Sequence, residues 1–473
     1  MQTESQPKRM PQLDPGGPKE APTNLRGVIR YLGPGMIIAA GVVGSGELIA
    51  TTKAGAQAGI SLLWIILLGC VIKVFAQIEL GRYAVTTNET TLTAINRLPG
   101  PRFRANWIIW LWLIMMGTTY GMMGGILAGA GQALAMTIPI TGDYALAIQS
   151  SAAVEAQTID VRIWATIVAV GTAALLYFGR YRLLQTLCVG LVFCFTLVTI
   201  GNVIALQTSD YAIPVNEILD GLWFGWPDEP AAWLTALAAF GIIGIGGTDL
   251  IVYPYWCLER GYGRFIGRRA TDPAWPERAR GWLRVMKIDA FVSMGIYTLA
   301  TVAFYFIGAS VLHKQGSDPD GMRMVSTLAT AYVPVFGANA KALFLAGALA
   351  VLYSTFLVAN AGAARLLTDC LGIFGLLKDS AAAQGRSIAI LSVALPLLAL
   401  LIFLTGWNPA RMIVIGGLTQ SLVLPVIGFC ALYFRFKLTD GRLRPGHLWD
   451  AALILSCLSL LVVGGFSLVQ IIS

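Results

Sequence analysis

Charged side chains are scarce in this sequence. Asp, Glu, Lys and Arg make up only 12% of the 473 residues, about half of their share in a soluble domain. Hydrophobic residues make up 56%, and apolar runs near the ~20 residues that cross a bilayer recur along the chain. Because each run is long and continuous, the sequence predicts an all-α polytopic membrane protein with the lipid bilayer as a partner. The net charge of +8 follows from topology, and we expect no nucleic-acid binding.

Histidine and paired cysteine are also lacking. The two histidines, His313 and His447, lie near predicted helix ends, and the seven cysteines stand singly within apolar runs without a CxxC spacing. This pattern argues against a haem pair or a His/Cys metal cluster inside the membrane, and the cysteines are predicted to be buried free thiols. We expect no cofactor and no enzymatic activity.

About eleven membrane spans are predicted from hydropathy. Their limits are 31–57, 61–82, 106–134, 161–178, 182–206, 232–258, 287–312, 340–370, 387–406, 409–435 and 446–471. The predicted domains are a disordered cytosolic tail (1–27), a first five-helix repeat (28–206), an extracellular loop (207–231), an inverted second repeat (232–436) and an additional helix (437–473).

The charges of the loops predict the orientation of the chain. The loop between the sixth and seventh spans carries Arg260, Arg264, Arg268, Arg269, Arg278, Arg280, Arg284 and Lys287. The preceding loop, 207–231, carries acids and neither Lys nor Arg. By the positive-inside rule the Arg-rich loop is cytosolic. Counting back predicts a cytosolic N-terminus for a multi-pass protein of the cell membrane.

Two glycine-rich segments echo each other inside apolar runs. GVVGSGELI at 41–49 lies in the first span, and GIIGIGGTDLI at 241–251 lies in the sixth. Glycine weakens a helix, and each segment then places a carboxylate, Glu47 or Asp249, at membrane depth. Five spans separate the two starts, so the second copy enters from the opposite side. This order is typical of a 5+5 inverted repeat with broken helices 1 and 6.

The two breaks contain the candidate binding residues. Gly44-Ser45-Gly46-Glu47 and Gly246-Gly247-Thr248-Asp249 each offer carbonyls, a hydroxyl and a carboxylate, an oxygen-only set that suits a hard divalent cation. The predicted metal ligands are Glu47 and Asp249. The predicted substrate-binding residues are Glu47, Asp249, Ser45, Thr248, Gly44, Gly46, Gly247 and Gln420. A competing interpretation is that the two acids only cap the second half-helices, where a carboxylate stabilises free amides.

Other polar or sulfur-bearing residues at membrane depth are weaker candidates. Lys73 lies far from the ends of the second span, which leaves snorkelling, a functional role and charge pairing as alternatives. Glu79 and Arg82 are predicted to pair with each other. Ser354 and Thr355 of the eighth span could reach the central cavity or bond to neighbouring helices. The third span carries Met115, Met116, Met122 and Met123. We interpret these methionines as gap fillers rather than soft ligands.

The segment GPGMIIAAGVVGSGELIATTKAGAQAGISLLWIILL, residues 33–68, resembles the Nramp family of divalent metal transporters. The matching residues are Gly33-Pro34-Gly35, the AGAQ of 54–57, Gly59 and the LLW of 62–64. The resemblance is strong over residues 30–90. It implies a LeuT-type fold with the substrate between spans one and six.

The family's binding motifs are altered at the site itself. The family's Asp-Pro-Gly-Asn is Gly44-Ser45-Gly46-Glu47 here, and its Met-Pro-His is Gly247-Thr248-Asp249, so only Gly46 carries over. The thioether that favours transition metals is missing from this motif, and no acid stands in the middle of the third span. Gln420 lies one turn from the position of the family's span-ten glutamine. In these respects the chain is similar to Nramp-related magnesium transporters.

Three functional hypotheses follow. The first is a transporter of a hard divalent cation, Mg²⁺ or Mn²⁺, that works by alternating access without proton coupling and binds the ion with Glu47 and Asp249. The alternative is a cation-coupled or exchange transporter of a small organic amine or amino acid on the same fold. A sensor that has lost transport ranks last, because the chain has no large soluble signalling domain. The sequence leaves the oligomeric state open.

Overall fold

A computed structural model describes residues 17–44, 46–149, 158–178, 181–225, 230–267, 269, 272–320 and 323–472 of the chain. The described chain is almost entirely helical. Its first half contains α1 (Leu25–Tyr31), α2 (Pro34–Val42), a π-helix (Gly46–Thr51), α3 (Thr52–Ala58), α4 (Leu63–Val71), α5 (Lys73–Thr87), α6 (Thr91–Asn96), a hairpin of β1 (Arg102–Phe103) and β2 (Ala105–Asn106), α7 (Trp107–Thr137), α8 (Asp143–Gln149), α9 (Ile159–Tyr177), α10 (Tyr181–Leu206) and α11 (Val215–Asp220).

The second half is also helical. It contains α12 (Pro230–Ile242), α13 (Gly247–Arg260), α14 (Tyr262–Ile266), α15 (Trp275–Ile307), a π-helix (Gly308–Leu312), α16 (Met324–Thr330), α17 (Val333–Phe336), a 3₁₀ turn (Gly337–Asn339), α18 (Ala340–Ile373), α19 (Ala381–Leu404), α20 (Pro409–Tyr433), a π-helix (Phe434–Leu438), a 3₁₀ turn (Gly441–Leu443) and α21 (His447–Ile472).

The membrane spans of the described residues agree closely with the prediction. Nine helices are long and apolar enough to cross a bilayer, and α2 with the segment Gly46–Ala58 forms a tenth span that bends by 42°. The predicted fifth span, 182–206, coincides with α10, of which Val192–Leu206 is identified as a shorter apolar helix. The count of ten instead of about eleven therefore reflects this one segment. The all-α membrane fold with a broken first helix is confirmed.

Close approach of α20 to α12 brings the predicted span-ten residues against the break in the sixth span. A Cβ on Gly241 would lie 2.0 Å from the carbonyl oxygen of Gly417, and a Cβ on Gly417 would lie 2.5 Å from that of Ala238. Only glycine allows the two backbones to meet in this way, as in other packed membrane helices. One turn beyond Gly417, α20 carries Gln420, which this packing places beside the sixth-span break.

The Gly-Pro-Gly opening of the first span is held by a buried acid of α15. Asp289 accepts hydrogen bonds from the amide of Gly33 at 2.9 Å and from that of Gly35 at 2.5 Å. Free amides at a helix N-terminus favour a carboxylate, and Pro34 has no amide hydrogen to lose. Tyr253 of α13 also donates to Asp289, at 3.3 Å. This opening therefore joins spans one, six and seven.

Helix α21 is attached to the bundle through the predicted pair of charges in α5. Arg82 Nε lies 3.0 Å from Glu79 Oε2, which confirms the pairing. Arg82 also donates to the carbonyl of Leu443 at 3.2 Å, and the indole of Trp449 donates to Glu79 at 2.6 Å. Both charges are buried and each has several hydrogen-bond partners, which is the condition for keeping a pair at this depth.

Candidate functional site

The first span is interrupted between Val42 and Gly46. Helix α2 ends at Val42, and the chain resumes at Gly46 as a π-helix, so the break precedes the position expected from the sequence by about one residue. A Cβ on Gly44 would lie 1.5 Å from Thr355 Oγ1, so only glycine leaves room for α18 at this point. Ser45, also predicted to bind substrate, lies outside the described residues.

The carbonyls freed at the end of α2 bond to two hydroxyls of α18. Ser354 donates to the carbonyl of Ala40 at 2.8 Å, and Thr355 donates to that of Gly41 at 2.7 Å. A carbonyl at membrane depth needs such a partner, and these hydroxyls supply it. The two hydroxyls therefore supply the hydrogen bonds that the carbonyls at the break need.

The sixth span is interrupted over residues 243–246. Helix α12 ends at Ile242 and α13 begins at Gly247. Gly244 has a φ of +68°, which favours glycine. The break therefore lies a few residues earlier than predicted, because Gly247, Thr248 and Asp249 already form the first turn of α13.

Lys73 of α5 occupies the C-terminal end of the first half of span six. Its Nζ donates to the carbonyl of Phe240 at 2.5 Å and to that of Ile243 at 2.7 Å, and the side chain is fully buried. The end of a helix carries a partial negative charge, so an ammonium group is a favourable occupant. Lys73 therefore caps a half-helix instead of snorkelling to water, and a functional role or charge pairing stays a prediction.

Glu47 joins the two breaks. One carboxylate oxygen accepts from the amide of Gly44 at 3.4 Å. The other accepts from the amide of Gly244 at 3.4 Å and from the hydroxyl of Thr301 in α15 at 3.1 Å. Glu47 is completely buried and is absent from the cavity wall formed by the described residues. These contacts connect the two breaks and fix their relative position.

A small cavity of about 50 Å³ lies beside the breaks. Asp249 and Thr248 line it from α13, Gln420 from α20 and Gly46 from span one. Gln420 Oε1 accepts from the amide of Thr248 at 3.2 Å. Of the predicted binding residues, these four are brought together around one space. Gly44 and Gly247 are not on its wall.

Gly246 lies next to two of the side-chain oxygens at this cavity. A Cβ at this position would lie 2.9 Å from Gln420 Oε1 and 3.0 Å from Asp249 Oδ2. Both oxygens therefore lie next to one Cα that carries no side chain. This is the arrangement expected where a small ligand approaches the backbone closely.

A family model described as natural resistance-associated macrophage protein-like, Nramp, matches residues 35–470. The chain belongs to the Nramp family. Members of this family are transporters, so this chain is a membrane transporter and not an enzyme.

Relatives and solved structures agree with this assignment. The Nramp chain is 22% identical over 407 residues to a protein named divalent metal cation transporter MntH from Caldanaerobacter subterraneus subsp. tengcongensis, which covers 85% of this chain and 83% of that one. It superposes on a manganese transporter of Eremococcus coleocola with a TM-score of 0.63 at 14% identity, covering 96% and 90% of the two chains. It also superposes on Mhp1, a nucleobase-cation-symport-1 family transporter, with a TM-score of 0.54 at 15% identity, covering 96% and 93%. These superpositions confirm the LeuT-type fold.

Two methionines of α7, which the sequence predicts to be gap fillers, also line the cavity of this Nramp chain. Met122 and Met123 of α7 line the cavity together with Thr119. A Cβ on Gly247 would lie 3.1 Å from Met115 Sδ. The seven-residue spacing of Met115 and Met122 places both on one helix face. This spacing is the sequence signal that could have indicated their position near the cavity.

The described residues of this Nramp site do not form a cluster of acids. Among the described residues there is no group of three or more His, Cys, Asp or Glu side chains that could hold a metal. Among the described residues of the cavity wall, a cation would meet one carboxylate, Asp249, with the amide of Gln420 and threonine hydroxyls as further oxygen donors.

Filling the space at Gly246 is expected to block the site. In Gly246→Ala the new methyl group occupies the gap between Asp249 and Gln420, and we expect substrate uptake to fall about tenfold or more because the crowded site must shift. Gly385→Ala is the control, since that glycine in α19 has no neighbour within 4 Å. Uptake by purified protein in liposomes measures both, and equal uptake by the two variants would place the substrate elsewhere.

Proposed function

We propose that this Nramp transporter carries a hard divalent cation, Mg²⁺ or Mn²⁺, across the cell membrane by alternating access, with its N-terminus in the cytosol. The observation that carries this proposal is the cavity beside the two helix breaks, where Asp249 and Gln420 present oxygen atoms. Hard divalent cations take oxygen ligands and tolerate retained water. The names of the relatives, one for divalent metal cations and one for manganese, support the same class.

The size of the cavity supports an ion over an organic solute. Sites for small organic molecules enclose about 300–1,000 Å³, whereas this cavity encloses about 50 Å³. The polar side chains on its described wall carry one carboxylate, one amide and three threonine hydroxyls, which suit a metal ion with part of its water shell. The amine or amino-acid alternative would need a substantially larger cavity.

Two ion pairs, one after each break, are suited to alternating access. Lys53, in α3 beyond the first break, lies 2.8 Å from Asp318 Oδ1. Arg365 of α18 pairs with Glu259, near the end of α13 beyond the second break. Because the two half-helices run in opposite directions through an inverted repeat, the pairs belong to opposite sides of the membrane. Opening one pair while the other stays closed would expose the cavity to one side at a time.

Uptake into liposomes that contain a pH-sensitive dye tests the proposal. We expect Mg²⁺ or Mn²⁺ to enter without acidification in step with the metal, because α7 offers no acid near the cavity. Uptake of a labelled amine that divalent cations leave unchanged would contradict the proposal. Metal uptake that acidifies the lumen in step would overturn only the expectation that transport proceeds without proton coupling.

Substitution of the methionines of α7 tests whether the transported ion is Mn²⁺ or Mg²⁺. In a Met122→Leu/Met123→Leu variant we expect Cd²⁺ to inhibit uptake about tenfold more weakly, since a thioether favours soft metals and leucine is a near-isosteric replacement. A Met294→Leu/Met412→Leu variant, outside the cavity wall, is the control. Unchanged inhibition by Cd²⁺ would mean that sulfur does not touch the ion, and would favour Mg²⁺.

A further inference from the structure

A second cavity, of about 330 Å³, lies at the end of the bundle where α15 begins. It is lined by six cationic side chains: Arg82, Arg280, Arg284, Lys287, Arg442 and Arg444. None of these residues belongs to the cavity beside the helix breaks, so this basic pocket is a separate feature of the molecule.

Most of these cations, including Lys287, have no ion pair among the described residues. Arg82 is paired with Glu79, and Arg442 with Asp440. Hydrogen bonds from Arg442 hold the pKa of Asp440 at about 2, so this acid stays ionised and its charge is already matched. Among the described residues, Arg280, Arg284 and Arg444 have no acidic partner. These exposed cations are therefore available to a ligand with negative charge.

The face of α15 that carries these charges changes abruptly from basic to apolar. Arg280, Arg284 and Lys287 follow each other at helical spacing, and Phe291, 37% exposed, continues the same face. Beyond it Gly295 has no neighbour within 4 Å, so the surface of the helix is open at this point. A molecule with an anionic head and a long apolar tail would match this order.

An aromatic cluster marks the boundary between the two parts. Lys287 Nζ lies 4.6 Å from the ring centre of Trp449, and the Trp449 ring lies 5.3 Å from that of Phe75 and 6.4 Å from that of Phe291. Tryptophan next to lysine is typical of the level where lipid headgroups meet acyl chains. This boundary favours a lipid over a soluble anion as the ligand of the basic pocket.

We propose that the basic pocket formed by Arg280, Arg284, Lys287 and Arg444 binds the phosphate group of an anionic phospholipid, whose acyl chain lies along Phe291 and Gly295 of α15. Arginine binds phosphate oxygens with two parallel hydrogen bonds, and basic pockets between membrane helices hold such headgroups. Arg82 joins the pocket to α5 and, through Leu443, to the loop before α21. A bound lipid would therefore also stabilise the position of α21.

Native mass spectrometry of the full chain in detergent tests the proposal. The probes are phosphatidylglycerol, phosphatidylcholine and inorganic pyrophosphate. The pocket variant is Arg280→Gln/Arg284→Gln/Arg444→Gln, and the control Arg26→Gln/Lys378→Gln/Arg386→Gln removes the same charge at exposed positions outside the pocket. If the pocket variant does not fold, the single change Arg284→Gln replaces it.

We expect the parent and the control to bind phosphatidylglycerol about tenfold tighter than phosphatidylcholine, and the pocket variant to lose this preference. An equal loss in the control and the pocket variant would overturn the proposal, because general surface charge would then explain binding. Tight binding of pyrophosphate by the parent without a preference for phosphatidylglycerol would also overturn it, since the ligand would be a soluble phosphate. These readouts are independent of ion transport.

Discussion

The Asp249→Asn variant is expected to lose divalent-cation binding by about 100-fold or more, and to lose uptake with it. Asp249 is the carboxylate on the cavity wall, and the affinity of oxygen sites for divalent cations depends strongly on the number of charged ligands. Asparagine keeps the shape of the side chain, so the neighbouring glycine and Gln420 need not move. Isothermal titration with Mn²⁺ and Mg²⁺ measures the loss in affinity directly.

Two further variants serve as comparisons for Asp249→Asn. Asp379→Asn removes an exposed acid and is expected to leave binding unchanged. Glu47→Gln is expected to weaken binding less than Asp249→Asn does, because the Glu47 carboxylate bonds to Gly44, Gly244 and Thr301 instead of lining the cavity. Equal losses of affinity in the Glu47 and Asp249 variants would instead support the sequence-based prediction that both acids bind the metal.

Replacing Lys73 with methionine is expected to lower the free energy of unfolding by about 2–6 kcal/mol, because each of two buried carbonyls left without a donor costs about 1–3 kcal/mol. Methionine has a similar length, but it leaves the carbonyls of Phe240 and Ile243 without a donor. It also removes the positive charge that interacts with Glu47 and Asp249. Thermal unfolding of the purified protein in detergent measures the loss as a fall in Tm.

Lys53→Met is the matched control for Lys73. The partner of Lys53, Asp318, is 47% exposed, so water can solvate this carboxylate after the change, and the loss of stability is expected to be smaller than for Lys73. The double variant Lys73→Met/Glu47→Gln is expected to lose less stability than the sum of the two single losses, because the two side chains bond to adjacent residues of one break, Ile243 and Gly244. Equal falls in Tm for the Lys73 and Lys53 variants would contradict the role of Lys73 as a helix cap.

The helical spans and the two interruptions are predictable from the sequence because they depend on local properties. An apolar run of sufficient length must form a helix in lipid, and a cluster of glycines weakens that helix. The first interruption falls within about one residue of its predicted place. The second, over 243–246, comes a few residues early, because Gly244 takes a positive φ while Gly247 starts α13. Glycine alone does not reveal which of several neighbours will leave the helix.

Side-chain partners across the bundle are not predictable in this way. The sequence placed Glu47 and Asp249 in equivalent roles, yet Asp249 lines the cavity and Glu47 is bonded to both breaks. The two acids differ because α15 presents Thr301 to Glu47, a contact between residues more than 250 positions apart. Such a contact depends on how each helix is rotated about its axis, and that rotation is set by packing against all of its neighbours.

The sequence by itself determined that this protein is a helical membrane transporter with two broken spans, since hydropathy, glycine placement and the Nramp resemblance are written along the chain. Only the tertiary structure decided that Lys73 caps a half-helix, that Met122 reaches the cavity and that the basic residues of α15 meet Arg444 in one pocket. These assignments bring together residues far apart in sequence, and the free energy that selects them comes from close packing of whole helices, which no local pattern encodes.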